Sequence, residues 1–114
     1  SEHTAPILFS TYKNDGKAFL VSGGNDKTIN VWDLENNTTL MATFNGHTKY
    51  VISIETYTHD GIPYLVSCDG DGEIKIWNLS THTLMRSLDT NNERIRSLAV
   101  TNQNSKIIIA CGYQ

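Results

Sequence analysis

Two sets of side chains in this chain of 114 residues have the types that hydrolysis uses. His3, Ser22 and Asp26 form one set, and His47, Ser67 and Asp71 form the other. A Ser-His-Asp hydrolase needs the imidazole within hydrogen-bond reach of the hydroxyl, and a carboxylate that orients the imidazole. The sequence argues against that use. Ser22 and Ser67 are 45 positions apart (67 − 22), as are Asp26 and Asp71 (71 − 26), so the sets are copies, whereas catalysis normally needs one site. No G-x-S-x-G nucleophile elbow is present. Trp32 and Trp77 share the spacing (77 − 32) and belong to the same repeated pattern.

Other chemistry-bearing motifs are weaker. "DGDGE", Asp69 to Glu73, opens like a calcium loop, but Ile74 stands where an EF-hand needs Gly. Asn36, Asn37 and Asn78 match glycosylation acceptors in a chain without secretory signals. Cys68 and Cys111 form no C-x-x-C pair, so zinc and a disulfide framework are not expected, nor is any other cofactor. Two cysteines suit a reducing compartment, cytosol or nucleus. A net charge of −3 exerts no general pull toward nucleic acid or anionic membrane. No apolar run approaches the roughly 20 residues of a membrane span.

The elements that position these residues repeat with them. "LVSGGNDKTINVWDL" (Leu20 to Leu34) aligns with "LVSCDGDGEIKIWNL" (Leu65 to Leu79), and "EHTAPI" upstream matches "GHTKYV". A third copy runs from "NNERIRSLAV" into "IIIACGYQ", with Cys111 on Cys68 and Gln114 on Asp71 after a two-residue shortening. Within a repeat the signals are for strands. "ILFSTY", "VISIETY" and "IRSLAV" are short and rich in β-branched and aromatic residues. "NDG" and "HDG" are turn chemistry, and "NDK" and "GDG" supply a second tight turn. Alternating "TINVWDL" and "EIKIWNL" form a third strand, with "TLMATF" and "TLMRSL" as a fourth. No stretch shows a helical period. The expectation is an all-β chain of four-stranded antiparallel propeller blades.

Gly46-His47 followed 30 positions later by Trp77-Asn78, with a degenerate first copy Glu2-His3 and Trp32-Asp33, resembles the WD40 repeat. Glu2 and Asn78 are mild departures, and Asn91 stands where the third copy's His is expected. The resemblance implies two full blades, about 4–45 and 48–90, and the first two strands of a third, about 93–114. It also implies structural tetrads, His3-Ser22-Asp26-Trp32 and His47-Ser67-Asp71-Trp77, running indole to hydroxyl to imidazole to carboxylate. Each donor then finds an acceptor, so the polar groups can be buried without an unmade bond.

WD40 propellers are similar in presenting partners with the loops entering each first strand and the second-to-third-strand turns. The matching positions here are Pro6, Leu8, Tyr50, Ile52, Arg94 and Arg96, with Asn25, Gly70 and Tyr113 from the turns. Arg94 and Arg96 lie on one side of a strand at period two and suit an acidic or phosphorylated peptide; the bland reading pairs Arg94 with Glu93. The expected function is a non-enzymatic protein-interaction scaffold. The alternatives are a module that closes its ring with other chains, or the substrate-recognition part of a ubiquitin-ligase or signalling enzyme whose catalytic domain lies elsewhere. With 2.5 repeats (114 over 45) against the four to eight blades of a closed ring, the chain is expected to be part of a longer propeller or to be completed by other copies. On the tetrad reading Trp77→Phe or Asp71→Ala costs a few kcal/mol in urea unfolding. Esterase activity that disappears in a folded Ser67→Ala variant would overturn it.

Overall fold

The computed structural model describes residues 8–23, 27–90, 95–103 and 106–113, with residues 95, 96, 111 and 113 described by their backbone alone. Ten strands account for most of them, and there is no helix among the described residues. They are β1 (Leu8–Asn14), β2 (Lys17–Gly23), β3 (Ile29–Asp33), β4 (Thr39–Phe44), β5 (Val51–His59), β6 (Ile62–Asp69), β7 (Glu73–Asn78), β8 (Thr83–Asp89), β9 (Ile95–Gln103) and β10 (Lys106–Tyr113). They form two four-stranded antiparallel sheets, β1-β2-β3-β4 and β5-β6-β7-β8, and a two-stranded sheet, β9-β10. Each sheet is one blade or part of one.

Local chemistry explains the turns. Asp15-Gly16 has φ of 52° and 78°, and Asp60-Gly61 has 51° and 78°. Two consecutive positive φ values define the type I′ turn, whose twist matches antiparallel strands and which favours Asp-Gly. The same chemistry therefore closes the first hairpin of both complete blades. The outer strands share another device. Val31 pairs Ala42 while Trp32 pairs Leu40, leaving Met41 as a bulge; Ile76 pairs Arg86 while Trp77 pairs Leu84, leaving Met85 as one. A bulge interrupts the ladder and discourages another strand from adding to an exposed edge.

The sheets pack face to face. Tyr12, Val21, Ile29, Val31 and Phe44 of the first blade meet Val51, Ile54, Leu65, Trp77 and Leu79 of the second. Burial pushes the Tyr12 hydroxyl up to about 12, with the Asp33 carboxylate adding to the shift, so the ring enters this core neutral. A second core joins Val66, Cys68 and Ile74 to Leu98, with Ile52, Tyr57, Ile76, Val100 and Ile109 packed around them. Leu65 thus faces the first blade and its neighbour Val66 faces the third. Both faces of the middle sheet are covered, which is why β6 is buried without alternation from Leu65 to Asp69.

The third blade's register differs from the sequence alignment. His59 pairs Ile62 and Gln103 pairs Lys106, so the two hairpins correspond with an offset of 44 on both strands (103 − 59, 106 − 62). Cys111 pairs Leu98 as Ser67 pairs Ile54. Cys111 therefore stands on Ser67's rung and not on Cys68's; Gln114, aligned with Asp71 in the sequence, lies outside the described residues. Matching the two cysteines displaces the strand by one residue, which in a sheet reverses every side chain.

Repeat positions show what the neighbouring blade contributes. Phe9 and Ile54 are equivalent (54 − 9 is 45), yet Phe9 is 61% exposed and Ile54 only 6%. Ile54 has the first blade against it. We expect Ile54→Ala to lower stability by about 2–5 kcal/mol and Phe9→Ala to change it by less than about 0.5 kcal/mol; urea midpoints of the two variants check this.

Candidate functional site

The second blade assembles a buried polar chain from three segments. Trp77 on β7 donates its Nε1–H to Ser67 Oγ on β6 at 3.0 Å. Ser67 Oγ lies 2.6 Å from His47 Nε2, and His47 Nδ1 lies 2.8 Å from Asp69 Oδ2. An ionised carboxylate accepts only, so His47 carries its proton on Nδ1 and takes the Ser67 hydroxyl proton's hydrogen bond on Nε2. The direction is then uniform from indole to carboxylate.

The carboxylate is Asp69, not the expected Asp71. Ser67 and Asp69 are two apart on β6 and share the face turned to His47. Asp71 lies beyond the strand, 42% exposed at its side chain, where it accepts from Thr48 Oγ1 at 3.2 Å and sits 3.8 Å from Lys49 Nζ. Asp69 also holds the turn, its Oδ1 accepting from the backbone N–H groups of Asp71 and Glu73 at 2.9 and 3.1 Å. Both aspartates tie the loop before β5 to the turn after β6, one in the core and one at the surface. The sequence comparison pointed to Asp71 because the first repeat has Gly24 at Asp69's position and Asp26 at Asp71's. In the first blade Trp32 Nε1 donates to Ser22 Oγ at 3.0 Å; His3, Asn25 and Asp26 lie outside the described residues.

Ser67, His47 and Asp69 therefore have the connectivity of a catalytic triad. Their surroundings are those of a core. Ser67 is 0% exposed and its oxygen already accepts from Trp77, so no substrate carbonyl reaches it in this arrangement. His47, Asp69 and Glu73 also bring ligand-type atoms within 4.8 Å of one another. These donors are engaged: Asp69 with His47 and the turn, Glu73 Oε2 with Ser87 Oγ at 3.0 Å and the buried Lys75 Nζ at 3.4 Å. Lys75 donates to Ser87 at 2.9 Å. Its counterpart Asn30 accepts from Thr43 at 2.8 Å, the same cross-strand link without charge.

The candidate partner residues divide. Tyr50 is exposed and its ring lies on Gly70. A Cβ at Gly70 would stand 3.0 Å from Tyr50 Cζ and 3.2 Å from Lys49 Cγ, so glycine permits this close approach. Gly70 also donates its N–H to the Tyr50 carbonyl at 3.0 Å. Ile52 points elsewhere, packing half-buried against the core between the second and third blades. Arg94 lies outside the described residues, and Arg96 and Tyr113 are placed only by backbone, in β9 and β10. Lys49, which the sequence analysis did not select, flanks Tyr50 at the surface.

The model of the WD domain, G-beta repeat family matches residues 1–33 and 38–78, well over half of the chain. The chain belongs to the WD40 repeat family. This WD40 chain is 38% identical over 52 residues to the human WD repeat and SOCS box-containing protein 1, and 38% identical over 50 residues to its Xenopus tropicalis counterpart. Those matches take in 46% and 44% of this chain and 12% of each relative's length. Among solved structures, the RRP9 WD40 repeats superpose with a TM-score of 0.62 at 27% identity, covering 74% of this chain and 24% of that one. The U3-55K structure gives the same values. WD40 repeats generally form non-catalytic scaffolds for protein interaction, and the buried triad is consistent with that use.

Two outcomes follow from the network. Asp69→Ala is expected to cost about 3 kcal/mol or more, because it leaves His47 and two turn N–H groups without acceptors in the core; Asp71→Ala is expected to cost under about 1 kcal/mol. Urea unfolding separates them. Burial holds His47 below its ordinary value of 6.5 despite the hydrogen bond and charge of Asp69. The unfolded chain then binds the extra proton, so the contribution is complete above pH 6.5 and is lost as pH falls through 6.5 toward the lowered value. Urea midpoints measured between pH 7.5 and 5.5 should fall, and His47→Gln should remove that part of the slope.

Proposed function

We propose that this WD40 chain is a non-enzymatic binding module that presents the Tyr50 face to an acidic or phosphorylated peptide. The observation that carries the reading is the exposed Tyr50 ring seated on Gly70, with Lys49 beside it. An aromatic held flat by backbone contact is a low-entropy anchor. Lys49 is only loosely engaged by Asp71, and the sequence adds Arg94 and Arg96 to the cations available for an anionic group. Asn25 belongs to the same proposal by its repeat position, that of Gly70 (70 − 25 is 45). Tyr113 pairs Ile95 as Asp69 pairs Val51, so it stands on Asp69's rung and is left out of the proposal. A chain with two cysteines and no C-x-x-C pair accords with a cytosolic or nuclear setting.

A second reading, substrate recognition within a larger ligase or signalling assembly, is favoured by relatives whose name joins WD repeats to a SOCS box. The peptide-binding face would serve both.

The test is an array of acidic and phosphorylated peptides probed with the wild-type chain, Tyr50→Ala and Arg96→Ala. Tyr50→Ala should leave stability within about 0.5 kcal/mol and lower capture of anionic peptides by about tenfold. Capture unchanged in both variants would sink the proposal. Gly70→Ala, which displaces the Tyr50 ring by its added Cβ, should reproduce the loss.

A further inference from the structure

The chain has two methionines, and both stand at the same place in the repeat. Met41 and Met85 are 44 positions apart (85 − 41), each the extra residue of the bulge in its blade's outer strand, β4 or β8. A bulged residue has no partner on the facing strand to hold its side chain against the sheet. Met41 is 46% exposed and Met85 is 55% exposed, and neither enters the two cores between the blades. Core packing therefore does not account for a thioether at either position. Each follows an exposed leucine, Leu40 or Leu84, so the two outer strands carry the same apolar rim. The rim projects past the core. Leu84 stands opposite Trp77, on the face that the first blade covers, and is still 44% exposed. Met85 has a polar neighbour as well. The Thr83 hydroxyl donates to its sulfur at 3.9 Å, and the Thr81 hydroxyl lies 2.7 Å behind Thr83.

We propose that Met41 and Met85 are a paired site of reversible oxidation by hydrogen peroxide, which turns the outer rim of the blades from apolar to polar. The chemistry needs no base from the protein. A sulfur lone pair attacks one peroxide oxygen. The S–O bond forms as the O–O bond breaks, and the departing hydroxide takes the proton left on the transferred oxygen. The sulfur is oxidised, the peroxide is reduced, and the products are methionine sulfoxide and water. Susceptibility follows exposure, and competing oxidisable groups are sheltered, with Cys68 at 0% and Trp77 at 4% exposed. The sulfoxide replaces a soft apolar atom by a polar group with a strong acceptor oxygen. At Met85 the Thr83 hydroxyl is already beside the sulfur, in place to donate to that oxygen. Because both residues lie outside the cores, the added oxygen meets water and not packed side chains, and the blades stay folded. The rim belongs to β4 and β8 and not to the loop that carries Tyr50, so the inference stands apart from the function proposed above.

The probe is hydrogen peroxide in small excess, added to the whole 114-residue chain. Peptide mass spectrometry should find one oxygen on each of Met41 and Met85, gained at least about tenfold faster than on Cys68 or Trp77. The oxidised chain should leave a hydrophobic-interaction column earlier, with its urea midpoint unchanged. Methionine sulfoxide reductases acting on both sulfoxide epimers should restore the original elution. The double variant Met41→Leu, Met85→Leu keeps the rim apolar and should elute at the same position before and after peroxide. That variant separates the two methionines from every other oxidisable group. Oxidation of Cys68 or Trp77 as fast as the methionines overturns the proposal. Elution unchanged by the two sulfoxides also overturns it, as does a shift that the reductases fail to reverse. Loss of the folded state on oxidation overturns it as well.

Discussion

The indole of Trp77 lies against the ring of Phe44 at 4.6 Å with 6° between their planes, while its Nε1–H points back into its own blade onto Ser67. One side chain thus joins two sheets and anchors a polar chain. The apolar face contributes to the core between the blades, where most of the favourable free energy arises. The polar edge begins the sequence of hydrogen bonds through Ser67 and His47 to Asp69. Because Asp69 also accepts from two turn amides, the position of the β6–β7 turn depends on the same indole. Tyr50 sits on the next residue, Gly70. The exposed face is therefore held in place from the core outward.

A four-stranded sheet in this architecture has two apolar faces and cannot cover either alone. The middle blade shows the satisfied case, with Leu65 covered on one side and Val66 on the other. Phe9 and Leu88, exposed where their counterparts Ile54 and Phe44 are buried, show repeat positions with no blade against them among the described residues. Stability of such an array is close to a sum of blade and nearest-neighbour terms. The exposure of a side chain at a given repeat position then depends on its neighbours more than on its own residue type.

Similarity between the polar chain and a hydrolytic triad has a physical origin. Both arrangements need an imidazole held in one tautomer between a hydroxyl and a carboxylate. The outcome differs through access. An indole occupies the hydroxyl oxygen here, and burial keeps the imidazole neutral. The arrangement that elsewhere activates a nucleophile serves in this chain to bury four polar groups with their hydrogen bonds made.

Much of the fold was legible because it is written in local chemistry. Asp-Gly pairs specify type I′ turns through their tolerance of positive φ, alternation specifies strands, and the 45-residue spacing of Trp32 and Trp77 specifies that the unit recurs. What the sequence determined by itself was therefore the strand order, the hairpins and the blade. Tertiary structure alone decided which carboxylate meets His47, since Asp69 and Asp71 are two residues apart and differ only in whether the strand or the turn carries them. It decided that Ile52 faces a core while Tyr50 faces outward. It also decided that Cys111 stands on Ser67's rung. These choices depend on a one-residue register or on a segment some twenty positions away, and a period-two chain turns the smallest shift in register into the opposite face of the sheet.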